Sequence, residues 1–238
     1  MAGLLATAVL RQGCAAFAAA LLCLGPPGPA WAGARVATPA RGAHSGAELA
    51  SRDARRMADW VVATGDNAAM PFVIIDKRKA EVFVFDAHGA LSGRAPALLG
   101  LARGDDIVAG IGQRKLADIG PGDRITPAGR FVASLGQDLG AKDVLWVDYD
   151  SGVALHRVIT TNPTEHRLRR LASPSPRERR ISFGCINVPA AFFDTVIHPT
   201  FAATSGVVYI LPETKPIAQV FAGFGLAAGA DGSTQASR

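Results

Sequence analysis

Cysteine is scarce in this sequence, and its distribution makes it scarcer still. Three cysteines occur, at positions 14, 23 and 185. The first two fall in the opening segment MAGLLATAVLRQGCAAFAAALLCLGPPGPAWA, which has one basic residue, Arg11, an apolar run from Cys14 to Leu24, a Gly/Pro break and the small-x-small ending Ala30, Trp31, Ala32. That is the layout of a cleaved secretory signal, predicted over residues 1–32. Its removal leaves Cys185 alone, which excludes a disulfide framework within one chain. Long hydrophobic runs are lacking too. The apolar run is well short of the ~20 residues a membrane span needs, so no stable span is expected after signal cleavage. There is no CxxC, no HExxH and no second Cys/His cluster, which argues against a metal site. No glycine-rich phosphate loop follows a strand, and no fixed-period repeat occurs. Neither a lysine-rich tract nor a stacking pattern of aromatics argues for nucleic acid, and an exported protein would not meet it.

About 206 residues follow the signal, enough for one domain with a sizeable core, or one domain plus a tail. With Arg11 gone, 24 basic and 20 acidic side chains remain, and the net charge of +4 suits an anionic polymer as partner. Residues 33–46 are rich in Ala, Gly and Pro and read as a flexible linker. Residues 47–65 read as an amphipathic helix, with Ala50, Ala54, Met57, Ala58 and Val61 at helical spacing and Trp60 nearby. The period then becomes two. Strands are predicted at 72–75 and 82–85, with a turn at 86–89, then at 130–134, at 144–149 and 153–159 as a hairpin around 150–152, and at 207–211. A short helix is predicted from Pro189 to Ile197. Strands outnumber helices without regular alternation, so the expected fold is mostly β, an antiparallel β-sandwich or barrel-like domain over 66–212 with a few short helices. Residues 213–238 read as a mobile tail with little to pack. A monomer is expected.

Cys185 admits three readings: an inert buried thiol, half of an intermolecular bridge, or a nucleophile. An oxidising compartment penalises an exposed idle thiol and favours a use. A nucleophilic thiol needs a base. His44 lies in the linker, His88 in a turn, His166 in an arginine-rich stretch and His198 after the short helix. His156 lies inside a strand, GVALHRVIT, where alternation puts Val153, Leu155 and Arg157 on one face and Ala154, His156 and Val158 on the other. Gly184 allows a tight backbone approach just before Cys185, and a helix from about Pro189 would bring amides and a helix N-terminus near the sulfur. Such features lower a thiol pKa from about 8.5 and can stabilise an oxyanion.

These residues resemble the signature of the L,D-transpeptidases, the YkuD-type catalytic domain. An upstream histidine, His156, is followed by Ser182-Phe183-Gly184-Cys185-Ile186-Asn187. VIIDKRKAEVFVFD resembles the family's opening strand pair, and DRITPAGRF resembles its TP-x-G-x-F segment. The resemblance covers roughly residues 71–212. It implies that Cys185 is the nucleophile and His156 the proton acceptor and donor, oriented by a backbone carbonyl. It further implies oxyanion donors at the amides of Gly184 and Cys185, with Ser182 and Asn187 shaping the loop or touching substrate. The implied substrate is a peptidoglycan stem tetrapeptide, which loses D-alanine to form a thioester that an amine resolves. No cofactor is needed, because one acyl bond is exchanged for another, and the implied location is the periplasm or cell envelope. Resolution by water or by a protein amine would give a carboxypeptidase or an attachment enzyme, and a module that only binds wall is the alternative from another class. The chain departs from the family at Phe183, where many members have histidine, and in a longer His-to-Cys spacing. That spacing holds Arg167, Arg169, Arg170, Arg177, Arg179 and Arg180 against Glu165 and Glu178. It is either a solvated loop or a basic lid that holds substrate carboxylates.

Overall fold

The computed structural model describes residues 51–225. The expected signal (1–32) and linker (33–46), residues 47–50 of the expected helix and residues 226–238 of the expected tail lie outside the described residues.

The apolar runs at the start of the domain become β1 (Phe72–Asp76) and β2 (Glu81–Phe85), an antiparallel pair in which Phe72 faces Phe85. The turn between them is tied by Asp76, whose Oδ1 accepts from the amides of Arg78 and Lys79 at 2.9 and 3.0 Å. The chain continues through β3 (Leu91–Pro96), β4 (Leu99–Gly100), β5 (Gly129–Gln137), β6 (Asp143–Asp148), β7 (Val153–Arg157), β8 (Arg180–Ser182), β9 (Ile186–Val188) and β10 (Gly206–Leu211). Eight of these form one sheet in the order β3-β2-β1-β10-β5-β6-β7-β9. The fold is mostly β, as the sequence predicts, but the sheet is mixed. β1 with β10 and β7 with β9 run parallel, and the other neighbours in it run antiparallel. Parallel neighbours need long connections, and residues 158–185, which include β8, supply one for β7 and β9. Leu98 and Asn187 exchange backbone hydrogen bonds of 2.8 and 2.9 Å, and β4 pairs with β8 beside them, so the sheet is nearly closed into a barrel.

The barrel interior is filled from alternate positions of its strands, including Val73, Val84, Leu145, Leu155, Ile186 and Val208, all fully buried. It is sealed by a helical stretch of α3 (Ala190–Phe192), a π-helical turn (Phe193–Ile197) and α4 (His198–Phe201), whose Phe193 and Ile197 belong to the same core. His198 therefore sits within this helical stretch rather than after it. On the outer face of β1, β2 and β10, a second apolar cluster is covered by α1 (Arg52–Thr64). Ser51 accepts the Ala54 amide at 3.1 Å and Gly65 ends the helix at φ 66°, so both ends are satisfied. Ala54, Met57 and Val61 recur at helical spacing and are fully buried. Burying a side chain the size of Met57 or Val61 stabilises the domain by about 1.5–3 kcal/mol. Because β1 and β10 are covered on both faces, they read as continuous apolar runs rather than alternating ones.

The start of the expected tail departs from prediction. α5 (Ile217–Val220) leads into Phe221 and Phe224, which are 4% and 8% exposed and join the cluster under α1. Trp60 meets the Phe224 ring edge-on at 6.1 Å. Two aromatics three residues apart provided something to pack after all. No described helix is long and apolar enough to cross a membrane.

Candidate functional site

Strand register determines which side chains can meet. β7 and β9 pair with Leu155 opposite Ile186 and His156 opposite Asn187. Leu155 and Ile186 point into the core, so by alternation His156, Asn187 and Cys185 point to the other side of the same strand pair. Cys185, one residue before β9, is half-buried, and Asn187 is 1% exposed.

The turn that presents Cys185 is clamped from two directions. Gly184 has φ 136°, and a Cβ there would lie 2.9 Å from the Ile125 carbonyl oxygen, so the position requires glycine. Its carbonyl accepts a 2.7 Å hydrogen bond from Thr126 Oγ1, which in turn accepts the Gly100 amide at 2.8 Å. Ser182 Oγ accepts the Gly184 amide at 3.1 Å and donates to the Cys185 carbonyl at 2.6 Å. Asn187 Nδ2 donates to that carbonyl as well, at 3.4 Å. The Gly184 amide is therefore engaged inside the turn, unlike the free oxyanion donor expected of it, and the Cys185 amide lies against its own sulfur. Thr126→Val keeps the shape but leaves the Gly184 carbonyl and the Gly100 amide without a partner. It is expected to cost about 1–3 kcal/mol, read as a lower denaturation midpoint at unchanged m-value.

His156 Nδ1 lies 2.7 Å from the Arg157 carbonyl oxygen, an acceptor only, so the proton is on Nδ1 and Nε2 carries the lone pair. Nε2 is 3.5 Å from Asn187 Nδ2. The Cys185 thiol donates to the Gly152 carbonyl at 3.5 Å, and among the described residues no hydrogen bond joins it to the imidazole. Burial dominates the electrostatics of both groups. It lowers the His156 pKa, against the pull of the Arg157 carbonyl, and raises that of Cys185, against the amides of Ala154 and Cys185 and the charge of Arg167. The resting pair is a neutral thiol and a neutral imidazole. This reverses the expected lowering of the thiol pKa: desolvation outweighs the nearby amides and the Arg167 charge.

Cys185 lines a cavity of about 140 Å³ with an apolar wall that includes Ile107, Leu116, Ile119, Ile125 and Phe183. Phe183, the departure from the family signature, lies under the Arg124 guanidinium at 3.9 Å, and Arg124 is braced by two 3.2 Å hydrogen bonds to the Ile119 carbonyl. His156 opens on a separate hollow of about 470 Å³ with Asp138, Lys142 and Thr160. His166 precedes α2 (Arg167–Ala172) with φ 49°, and His198 is 3.7 Å from Asp143. Neither histidine, nor His88, comes to the thiol. Among the described residues no three His, Cys, Asp or Glu side chains could hold a metal ion.

Four of the six guanidiniums in the arginine-rich stretch turn onto the protein, whereas Arg169 and Arg177 are exposed. Arg170 donates to the carbonyls of Glu165 and Glu178 at 2.9 and 3.0 Å. Arg179, 9% exposed, donates to the carbonyls of Ser173 and Ala80 at 3.0 and 3.1 Å. Arg180 reaches the Lys77 carbonyl and Glu213 at 2.8 and 2.7 Å. Arg167 turns inward to Asn187 Oδ1 at 2.7 Å. These guanidiniums bind the protein itself, and sequence reasoning missed both Arg167 and the clamp at Thr126. The TP-x-G resemblance around Thr126 was the one available signal.

No family model and no curated protein sequence matches this chain. Solved structures do. The helical cell shape determining protein Pgp2 from Campylobacter jejuni matches over 67% of this chain and 57% of its own, at 13% identity and a TM-score of 0.42. The catalytic domain of the E. faecium L,D-transpeptidase matches over 59% and 95%, at 14% identity and a TM-score of 0.33. An L,D-transpeptidase from Mycobacterium smegmatis matches over 59% and 58%, at 14% identity and a TM-score of 0.32. Apart from the isolated catalytic domain, the chain spans about half to three-fifths of the length of these and similar matched chains.

Proposed function

We propose that the protein is an exported cysteine acyltransferase of the cell envelope, acting as a monomer on peptidoglycan stem peptides. The observation that carries this reading is the placement of Cys185 and His156 on one face of adjacent strands, with the imidazole held by the Arg157 carbonyl so that Nε2 carries the lone pair. The substrate class is taken from the resemblance of the motif around Cys185 to that of the L,D-transpeptidases. Substrate entering the cavity turns the thiol from the Gly152 carbonyl toward Nε2. Sγ attacks the carbonyl of the third stem residue while its proton passes to Nε2. The C–N bond to D-alanine then breaks, the departing amine takes that proton, and a thioester remains on Cys185. An acceptor amine attacks the thioester and gives its proton to His156, and the released sulfur takes it back.

The oxyanion needs donors. The Cys185 amide is adjacent, and the Gly184 amide becomes available if Ser182 Oγ gives it up. Incubating the chain with a purified stem tetrapeptide should give an adduct lacking D-alanine, seen by intact-mass spectrometry and mapped to Cys185. Free D-alanine without an acceptor product would identify a hydrolase. Binding to sacculi without an adduct would instead make the chain a wall-binding module.

A further inference from the structure

The connection between β7 and β8 brings a cation to the imidazole. Arg167, the first residue of α2, has a side chain only 12% exposed, with Nε 2.5 Å from Glu165 and Nη1 donating to Asn187 Oδ1 at 2.7 Å. A guanidinium has no acceptor, so Asn187 must present its oxygen to Arg167 and its NH₂ in the other direction. That NH₂ faces His156 Nε2 at 3.5 Å and the Cys185 carbonyl at 3.4 Å. An amide NH₂ only donates, so Nε2 must accept. The Arg157 carbonyl at Nδ1 demands the same tautomer from the other side of the ring.

We propose that Arg167 is a positioning residue for the acyl transfer: through Asn187 it fixes His156 as an acceptor at Nε2, and its charge disfavours the imidazolium. The proposal rests on the acyltransferase reading for its chemistry but not for its test. The charged and titratable groups facing His156 can be named from each side. Its own strand supplies the Arg157 carbonyl, while the Arg157 guanidinium turns away to Asp194. The β5–β6 connection supplies Asp138 and Lys142, and β6 begins with Asp143, itself near His198. β9 and the residue before it supply Asn187 and Cys185, and the β7–β8 connection supplies Arg167 with Glu165. Of these, Asp138 favours protonation and Arg167 opposes it, in the same sense as burial.

The experiment follows the His156 ring by NMR titration in the full chain, alongside the pH profile of Cys185 alkylation by iodoacetamide, for Arg167→Met and Arg167→Lys. With methionine the His156 midpoint should rise, and alkylation should slow by roughly three- to tenfold below the ordinary histidine range; loss of the same charge also raises the Cys185 pKa, so a smaller slowing persists at about pH 8. With lysine the charge remains, so the midpoint should stay near that of the parent. A uniform rate loss at all pH values with an unmoved midpoint would reduce Arg167 to a structural role and overturn the proposal. Should Arg167→Met fail to fold, Glu165→Gln leaves Arg167 unneutralised and should lower the His156 midpoint; an unchanged midpoint there overturns the proposal equally. Neither readout uses a stem peptide, so absence of a stem-peptide adduct on the parent chain would sink the acyltransferase reading alone.

Discussion

Cys185→Ala is expected to abolish the acyl adduct completely, while His156→Ala should slow its formation by about 10²–10⁴-fold without removing it. The two outcomes differ because of the resting protonation state. Burial holds Cys185 as a thiol and His156 as a neutral imidazole, so the sulfur is not a preformed thiolate and depends on Nε2 for proton removal at neutral pH. Without the imidazole the small thiolate fraction still reacts, and the rate should recover as pH rises; without the sulfur nothing remains to acylate. The parent's rate should fall on acidification only as His156 becomes protonated, below the ordinary histidine range because its pKa is lowered. Time-resolved intact-mass measurements between about pH 5 and 10 would check each limb, and a His156→Ala rate equal to the parent's would remove the base from the mechanism. Cys185 is half-buried and its thiol makes one long hydrogen bond, 3.5 Å to the Gly152 carbonyl, so Cys185→Ala should unfold close to the parent.

Lys77→Met should lower stability by about 3–5 kcal/mol, read as a lower urea midpoint. Lys77 Nζ is fully buried, 2.7 Å from Asp105 and 3.9 Å from Glu213, and it donates to the carbonyls of Thr126, at 2.8 Å, and Gly104. Glu213 is also held by Arg180 and Arg103, at 2.7 and 3.1 Å. Removing the ammonium leaves Asp105 without its cation, and such a charge is far more costly unpaired than paired. Burial alone would raise the Asp105 pKa, but hydrogen bonds from Lys77, from the Thr214 hydroxyl and from the amides of Glu213 and Thr214 outweigh it and hold the carboxylate below its usual range. A depressed folded-state pKa gives stability that is present above the unfolded value of about 3.9 and is lost as pH falls through the folded one. The parent should therefore lose stability below about pH 4, and Lys77→Met should lose less over the same interval because its Asp105 titrates closer to normal. The Thr126 carbonyl that Lys77 holds belongs to the residue whose hydroxyl clamps Gly184. Acylation by Lys77→Met should thus slow even at temperatures where the variant remains folded.

What could be read beforehand divides along physical lines. β1, β2, β6, β7 and β10 were legible within two residues at each end because their side chains repeat or run apolar over five or more positions. β8 and β9, three residues each, have no pattern of their own and exist only through partners at Leu99, Gly100 and β7. Their parallel pairings were illegible for the same reason. Cys185 and His156 stood out because one was the last cysteine and the other a polar interruption of an apolar strand. Thr126 and Arg167 act on residues 58 and 20 positions away, through contacts that no local spacing encodes. The thiol's pKa was misjudged because nearby amides can be inferred from glycine and proline, whereas desolvation depends on how the whole chain packs.

The contact between the Cys185 thiol and the Gly152 carbonyl bears on how the sulfur would fare in an oxidising compartment, the location proposed for this chain. Peroxide oxidises thiolates, carrying them to sulfenic and then irreversibly to sulfinic acid, and attacks protonated thiols slowly. A sulfur kept protonated against a carbonyl, and on the proposed mechanism deprotonated when an acyl donor is in place, would spend most of its lifetime in its least oxidisable form.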